Sequence, residues 1–325
     1  MKITDIEAIH IRIEDPNIGI FDGSYDDCLI MVRTDAGITG IGEVESLPPA
    51  IQGIVNAPPA HNHARGLREL LLGEDPTDPE RLWQRMVEAT DYVGRRGLMM
   101  HAIGGVDLAL WDIAGQAAGK PVHALLGGAK RDRLQAYGTI YPMARTPEAV
   151  RRQVQEAQAM NLRAFKFAAD PWWLDDLSLT ARLLQTAREE MGTEAILIVD
   201  AGGAYRTVEE GRRLAPIFRD VGIAFWEAPL PLDDVAGHAA LAGEGIPIGV
   251  GDLGLTHVAE FEEMMDRGGA AICQPDITMV GGFTGLRRVA QAALERGKRV
   301  ITHGYKTNIT IAANLHFLAN HPDEE

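Results

Sequence analysis

The chain has 325 residues, 46% hydrophobic and 24% charged, with a formal net charge of −15, which is enough for two domains and a large core in an ordinary globular balance. It has no run of lysine and arginine, so a nucleic-acid surface is excluded, and an anionic substrate would need local positive charge such as a metal ion. Two cysteines, Cys28 and Cys273, make no disulfide framework; with no apolar stretch near the ~20 residues of a membrane span and no signal-peptide core in MKITDIEAIHIRIE, the expected location is cytoplasmic.

In chain order, Lys2 to Ile13 alternates as a strand, Asp27 to Arg33 forms a second, and the Asp35-Ala36-Gly37 turn leads into a third, Ile38 to Glu43. The Pro-, Ala- and Asn-rich stretch from Leu47 to His63 reads as a loop. Helical patterns follow at Asp78 to Tyr92 and Leu98 to Ala118, the second stopped by Gly119-Lys120-Pro121. From Leu134 the texture becomes short apolar runs alternating with helical segments: LQAYGTI, LRAFKF, AILIVD, GIAFWE, IPIGVGD, AAICQPD and KRVITH. Such repetition means parallel βαβ units, and seven in a row favour a barrel. The expected fold is therefore α/β: a modified (β/α) TIM-type barrel over residues 126–325, behind an N-terminal α+β capping domain over residues 1–125.

Five of the runs end in Asp200, Glu227, Asp252, Asp276 and His303, and a sixth carries Lys166 one residue before its end. Each is about one strand-plus-helix unit from the next, so all six arrive at the carboxyl rim of the barrel, where barrel enzymes place their chemistry. One strand-terminal acid could simply cap a helix or meet water. Several clustered carboxylates repel one another unless a cation neutralises them. An all-oxygen set fits Mg2+ best, with Mn2+ as a substitute and Zn2+ disfavoured. His61 and His63 share a polar loop and read as surface histidines.

These residues resemble the enolase superfamily, specifically its mandelate racemase-like branch. VDLALWDIAGQAAGKPVHALLGG (Val106 to Gly128) is similar to that family's junction of capping domain and barrel, and AFKFAAD, LIVDAGGAY, FWEAPLP, IGVGD, QPDITMVGGFTG and ITHGYKTNITIAANLHFLA follow in its order. The resemblance implies Asp200, Glu227 and Asp252 as Mg2+ ligands and Asp276 with His303 as a carboxylate–histidine dyad. Lys166 would be the first lysine of the family's Lys-x-Lys pair. Three departures stand out. Ala168 replaces the second lysine, the third ligand is Asp252 where glutamate is usual, and an eighth strand with a C-terminal return to the capping domain is expected beyond Glu325.

Family chemistry is removal of the proton beside a carboxylate, with the enediolate stabilised by metal and Lys166. With Ala168 in place, His303 is the one evident base, which points to an acid-sugar dehydratase of the rhamnonate or lyxonate type, a hydro-lyase of carbohydrate catabolism. The alternatives are an epimerase or racemase with a second base, and a non-catalytic enolase-like protein that binds sugar acids. Further candidates for substrate contact are Lys306, Tyr141, Trp172 with Trp173, and Tyr25 with Phe21 and Asp22 in a capping loop; Glu43 reads as structural. The expected partner is a small sugar acid, with neither nucleic acid nor membrane, in a homo-oligomer.

Overall fold

The computed structural model describes residues 1–12, 26–252 and 254–322. The N-terminal part is an antiparallel sheet in the order β1 (Ile3–Arg12), β2 (Asp26–Thr34), β3 (Thr39–Val44). Inward residues Ile6, Ala8, Cys28, Ile30, Val32 and Val44 are buried in a core shared with the helices Pro48–Asn56 and Leu98–Ala118. Two glycines of β3 permit that contact. A Cβ at Gly40 would collide with the carbonyl oxygen of Ala109, and one at Gly42 with that of Gly105. Residues two apart on a strand and four apart on a helix share a face, so the two contacts repeat in step.

The stretch from Leu47 to His63 is not all loop: Pro48–Asn56 is a helix. Its prolines occupy the first positions, where the missing N–H costs nothing, and Pro48, Ile51 and Val55 present one buried face. The other two helices fall where periodicity puts them, at Pro79–Thr90 and Leu98–Ala118. Asp78 caps the first by accepting from Arg81 N–H, and Gly119 ends the second in the left-handed conformation (φ 61°).

The second part is a curled parallel sheet of seven strands: β4 (Gly138–Ile140), β5 (Ala164–Ala168), β6 (Ile196–Asp200), β7 (Phe225–Glu227), β8 (Ile248–Val250), β9 (Ala270–Cys273) and β10 (Arg299–Val300). They are bonded in sequence order, with β4 and β10 at the two edges. Phe165, Phe167, Leu197, Val199, Trp226, Ile248, Val250 and Cys273 pack into the core shared with the surrounding helices. Alternation sends the intervening Lys166, Ala168, Ile198, Asp200, Phe225 and Glu227 to the concave face. Helix Leu98–Ala118 serves both cores, through Ala109, Leu110 and Ile113 on one side and Leu108 and Trp111 on the other.

Among the described residues no helix is long and apolar enough to cross a membrane. Cys28 and Cys273 are both buried and free.

Candidate active site

Register decides which side chains meet. Ala168 pairs with Asp200 and Asp200 with Glu227, so the ends of β5, β6 and β7 are level. Asp252 follows β8 by two residues, and ligand oxygens of Asp200, Glu227 and Asp252 all lie within 4.8 Å of one another. Lys166 Nζ lies 2.7 Å from Glu227 Oε1 and 3.0 Å from Asp200 Oδ2. Burial works against the Lys166 ammonium, but Glu227, Tyr137 and Asp200 outweigh it and hold its pKa above the usual lysine value. Burial first, then Glu227 and Asp200, push the Asp252 carboxyl up to about 8.

These donors fit a hard divalent cation. Glu227 Oε2 and Asp252 Oδ1 are buried without a hydrogen-bond partner among the described residues, a costly condition for a carboxylate. With all three carboxyls ionised, one ammonium leaves two negative charges for a cation to answer, and the donor set is oxygen throughout.

Across the rim, His303 Nδ1 is 2.8 Å from Asp276 Oδ2, and Asp276 Oδ1 accepts from both Thr278 N–H and Thr278 Oγ1 at 2.7 Å. Asp276 is fully buried. Burial lowers the pKa of His303, yet the hydrogen bond and charge of Asp276, joined by Asp252, raise it overall to about 9. Glu45 of the capping domain completes a second cluster, its carboxylate within 4.8 Å of Asp276 and His303. Its backbone N–H donates to Thr278 Oγ1 (3.2 Å). A cavity of about 1850 Å³ reaches members of both clusters, lined at the rim by Lys166, Ala168, Asp200, Asp252, His303 and His101. It continues between the edge strands toward Ile196 and Arg299 at the amino ends.

The structure thus brings together six of the expected residues: Asp200, Glu227, Asp252, Asp276, His303 and Lys166. Tyr141, just past β4, lines the cavity and is half exposed. Two expected substrate contacts are not among the described residues that line the cavity. Trp172 packs against the barrel core beneath Arg145 and donates to Asp170 (3.1 Å), off the cavity wall; Trp173 is wholly buried. Lys306 also lies off that wall and donates to the carbonyl of Asp26 (3.3 Å). In both cases sequence proximity to the rim says nothing of which way the side chain turns. Tyr25, Phe21 and Asp22 lie outside the described residues. Glu43 accepts from the N–H and hydroxyl groups of Thr307 and Thr310, tying sheet to barrel.

Sequence reasoning passed over Tyr137, whose ring centre is 5.5 Å from Lys166 Nζ, and also Glu45, Thr278 and His101. The one usable signal was His101, an ionisable residue in the otherwise apolar stretch LMMHAIGGV.

Comparison with known proteins agrees with this geometry. Residues 25–127 match the mandelate racemase / muconate lactonizing enzyme N-terminal domain, and residues 149–325 the enolase C-terminal domain-like family. The chain is 30% identical to L-talarate/galactarate dehydratase of Salmonella typhimurium over 90% of its own length and 70% of that protein's. It is 33% identical to arabinonate dehydratase of Saccharolobus solfataricus, over 78% and 67% respectively. The crystal structure of 3,6-anhydro-D-galactonate cycloisomerase from Zobellia galactanivorans superposes with a TM-score of 0.84 at 26% identity, covering 98% of this chain and 85% of that one. With both domains matched and the strand-end residues in order, the chain belongs to the mandelate racemase / muconate lactonizing enzyme family of the enolase superfamily.

Proposed function

We propose that the protein is a Mg2+-dependent dehydratase of a sugar acid, removing the C2 proton and the 3-hydroxyl to leave a 2-keto-3-deoxy acid. The observation that carries this reading is that, among the described residues, one base is oriented by a carboxylate at the strand ends. His303 is held by Asp276, while Ala168 occupies the wall position two residues beyond Lys166. Lys166 itself is bonded between two carboxylates, Glu227 and Asp200, rather than held as a free base. One histidine serves an elimination, since the proton taken from C2 can be returned to the departing hydroxyl. Racemisation by two bases needs a second acceptor across the substrate.

Asp200, Glu227 and Asp252 would hold the cation, which supplies positive charge where the substrate carboxylate gains electrons as an enediolate. Lys166 adds a second fixed positive charge on the same side. Asp276 fixes the His303 ring and its tautomer by accepting at Nδ1, leaving Nε2 to take the C2 proton. The same nitrogen then gives that proton to the 3-hydroxyl, water departs, and the enol becomes the ketone. Similarity to two named sugar-acid dehydratases supports the substrate class.

The test is incubation with Mg2+ and a library of aldonic and aldaric acids, assayed for 2-keto-3-deoxy products. His303→Asn should lower turnover by about 10²–10⁴-fold while Mg2+ binding persists. A library that yields no product, or a fully active His303→Asn, would reject the reading. If substrate recovered from D2O carried deuterium at C2 in both configurations with the 3-hydroxyl retained, epimerisation would replace it.

A further inference from the structure

His101 stands in the first turn of helix Leu98–Ala118, whose N-cap Gly97 N–H donates to Thr256 Oγ1 (2.9 Å), just beyond Asp252 on the barrel rim. The capping domain therefore holds this turn over the site. His101 Nδ1 is 3.0 Å from Ser46 Oγ, and the ring forms part of the cavity wall together with Glu45, Met279 and His303. Nε2 is buried with no hydrogen-bond partner among the described residues. A polar atom left in that state costs about 1–3 kcal/mol, which a ligand group on the cavity side would recover. The dyad does not use this nitrogen, nor do the metal ligands.

Resting on the dehydratase reading, we propose that His101 is a positioning residue that hydrogen-bonds a hydroxyl of the substrate chain beyond C3, so that the site takes aldonates in preference to aldarates. The charges around it define the preference. Burial pushes the His101 pKa down to about 4, against the pull of Asp276, so the ring is uncharged at neutral pH. A neutral imidazole bonded to Ser46 serves a hydroxyl in either tautomer, as donor or acceptor. It offers no countercharge to a second carboxylate. The neighbouring ionisable groups on this wall are Glu45 and the Asp276–His303 dyad, in which the histidine is already bonded to Asp276, so an aldarate's far carboxylate would meet an acid and a histidine whose charge is already answered. The basic residues that line the cavity lie elsewhere. Lys166 is tied to the metal carboxylates, Arg299 begins β10 at the amino end, and Arg131 and Arg133 precede β4, Arg131 donating to the carbonyl of Leu318 near the end of the last helix.

The experiment uses the Mg2+-loaded full chain with matched aldonate and aldarate pairs of the galacto, gluco and manno series. Binding is read by calorimetry and turnover in parallel, for wild type, His101→Ala, His101→Gln and His101→Phe. Wild type should bind at least one aldonate about tenfold more tightly than its aldarate. His101→Ala and His101→Phe should each lose about tenfold in aldonate binding, the value of one neutral hydrogen bond, seen in KM more than in kcat and with an unchanged melting temperature. His101→Gln should recover part of it. Phenylalanine fills the ring's space without its nitrogens, so it carries the test should alanine melt early. Equal affinity for the two classes, or undiminished aldonate binding in both variants, overturns the proposal. If binding follows the expected pattern without any turnover, the dehydratase reading falls alone; if none of the acids binds, both fall.

Discussion

The hydroxyl of Thr278 donates to Asp276 Oδ1 (2.7 Å) and accepts from Glu45 N–H (3.2 Å), so one small side chain links the capping domain to the carboxylate that orients His303. Thr278 N–H also donates to Asp276 Oδ1, and that bond is independent of the side chain. Thr278→Val should therefore leave Asp276 in place but less firmly held. Loss of such an outer partner typically costs 10–100-fold; here, with the backbone bond intact, kcat should fall about tenfold with KM little changed. Steady-state kinetics on an accepted acid checks this, and an unaltered kcat would show that the hydroxyl is dispensable. At this scale the sequence was legible wherever a residue ended an apolar strand, because strand alternation and a shared rim leave such a side chain one place to go. Thr278, Tyr137 and His101 escaped because their roles depend on contacts between separate elements: Thr278 with Glu45 of the capping domain, Tyr137 with Lys166 on the next strand, and His101 on a helix docking over the barrel. Trp172 and Lys306 were open in the sequence for the same reason, since a residue after a strand end is free to turn toward the core or toward the cap.

Among the elements, β3 and helix Leu98–Ala118 are matched by absence of side chains. Gly42→Ala would drive a methyl group into the Gly105 carbonyl oxygen. Backbone against backbone cannot yield as a flexible side chain can, so the change should cost at least the roughly 1–3 kcal/mol of ordinary overpacking. Urea unfolding measures it. The same helix meets the barrel through Asp107, which accepts from Thr284 N–H (3.0 Å) and Thr284 Oγ1 (2.7 Å) at the start of helix Gly282–Glu295. Complete burial pushes the Asp107 carboxyl up to about 8, with the Thr284 hydrogen bonds opposing. A carboxyl raised on folding holds a proton that the unfolded chain has already lost, so its contribution is present below about pH 4 and fades as pH rises through about 8. Melting temperature should fall between pH 5 and pH 9, and Asp107→Asn should remove that share of the fall. If variant and wild type show the same pH slope, Asp107 is not its source. The helix Pro48–Asn56 shows the opposite lesson: paired prolines looked like punctuation, yet at a first turn they are compatible with a helix, and its buried spacing was the better guide.

Over the whole molecule, the sheet presents three acids at the ends of adjacent strands, in a protein already carrying a net charge of −15. Asp200, Glu227 and Asp252 arrive on or just after β6, β7 and β8, each the product of a separate βα unit, so their repulsion acts between units. The repetition of units was plain in the sequence because each buries one strand face under its own helix; how the curled sheet is bounded was not, because edge pairing is a long-range property. Lys166 answers part of the charge, and a divalent cation would answer the rest while binding the folded chain alone. Stabilisation by such a ligand follows its concentration, about 2.7 kcal/mol at a hundred times Kd. For a chain of this size that is a rise of several degrees in melting temperature. Chelator-stripped protein should therefore melt lower than the same sample with added Mg2+, and the difference should grow with the logarithm of Mg2+ concentration. Glu227→Gln removes one charge and one ligand oxygen and should abolish most of the shift. Glu80, exposed and paired with Arg287 on the capping side, provides the control, and Glu80→Gln should leave the shift intact. If stripped and Mg2+-loaded wild type melt together across that range, the three carboxylates are not a Mg2+ site; if Glu227→Gln still responds fully, the ion sits elsewhere.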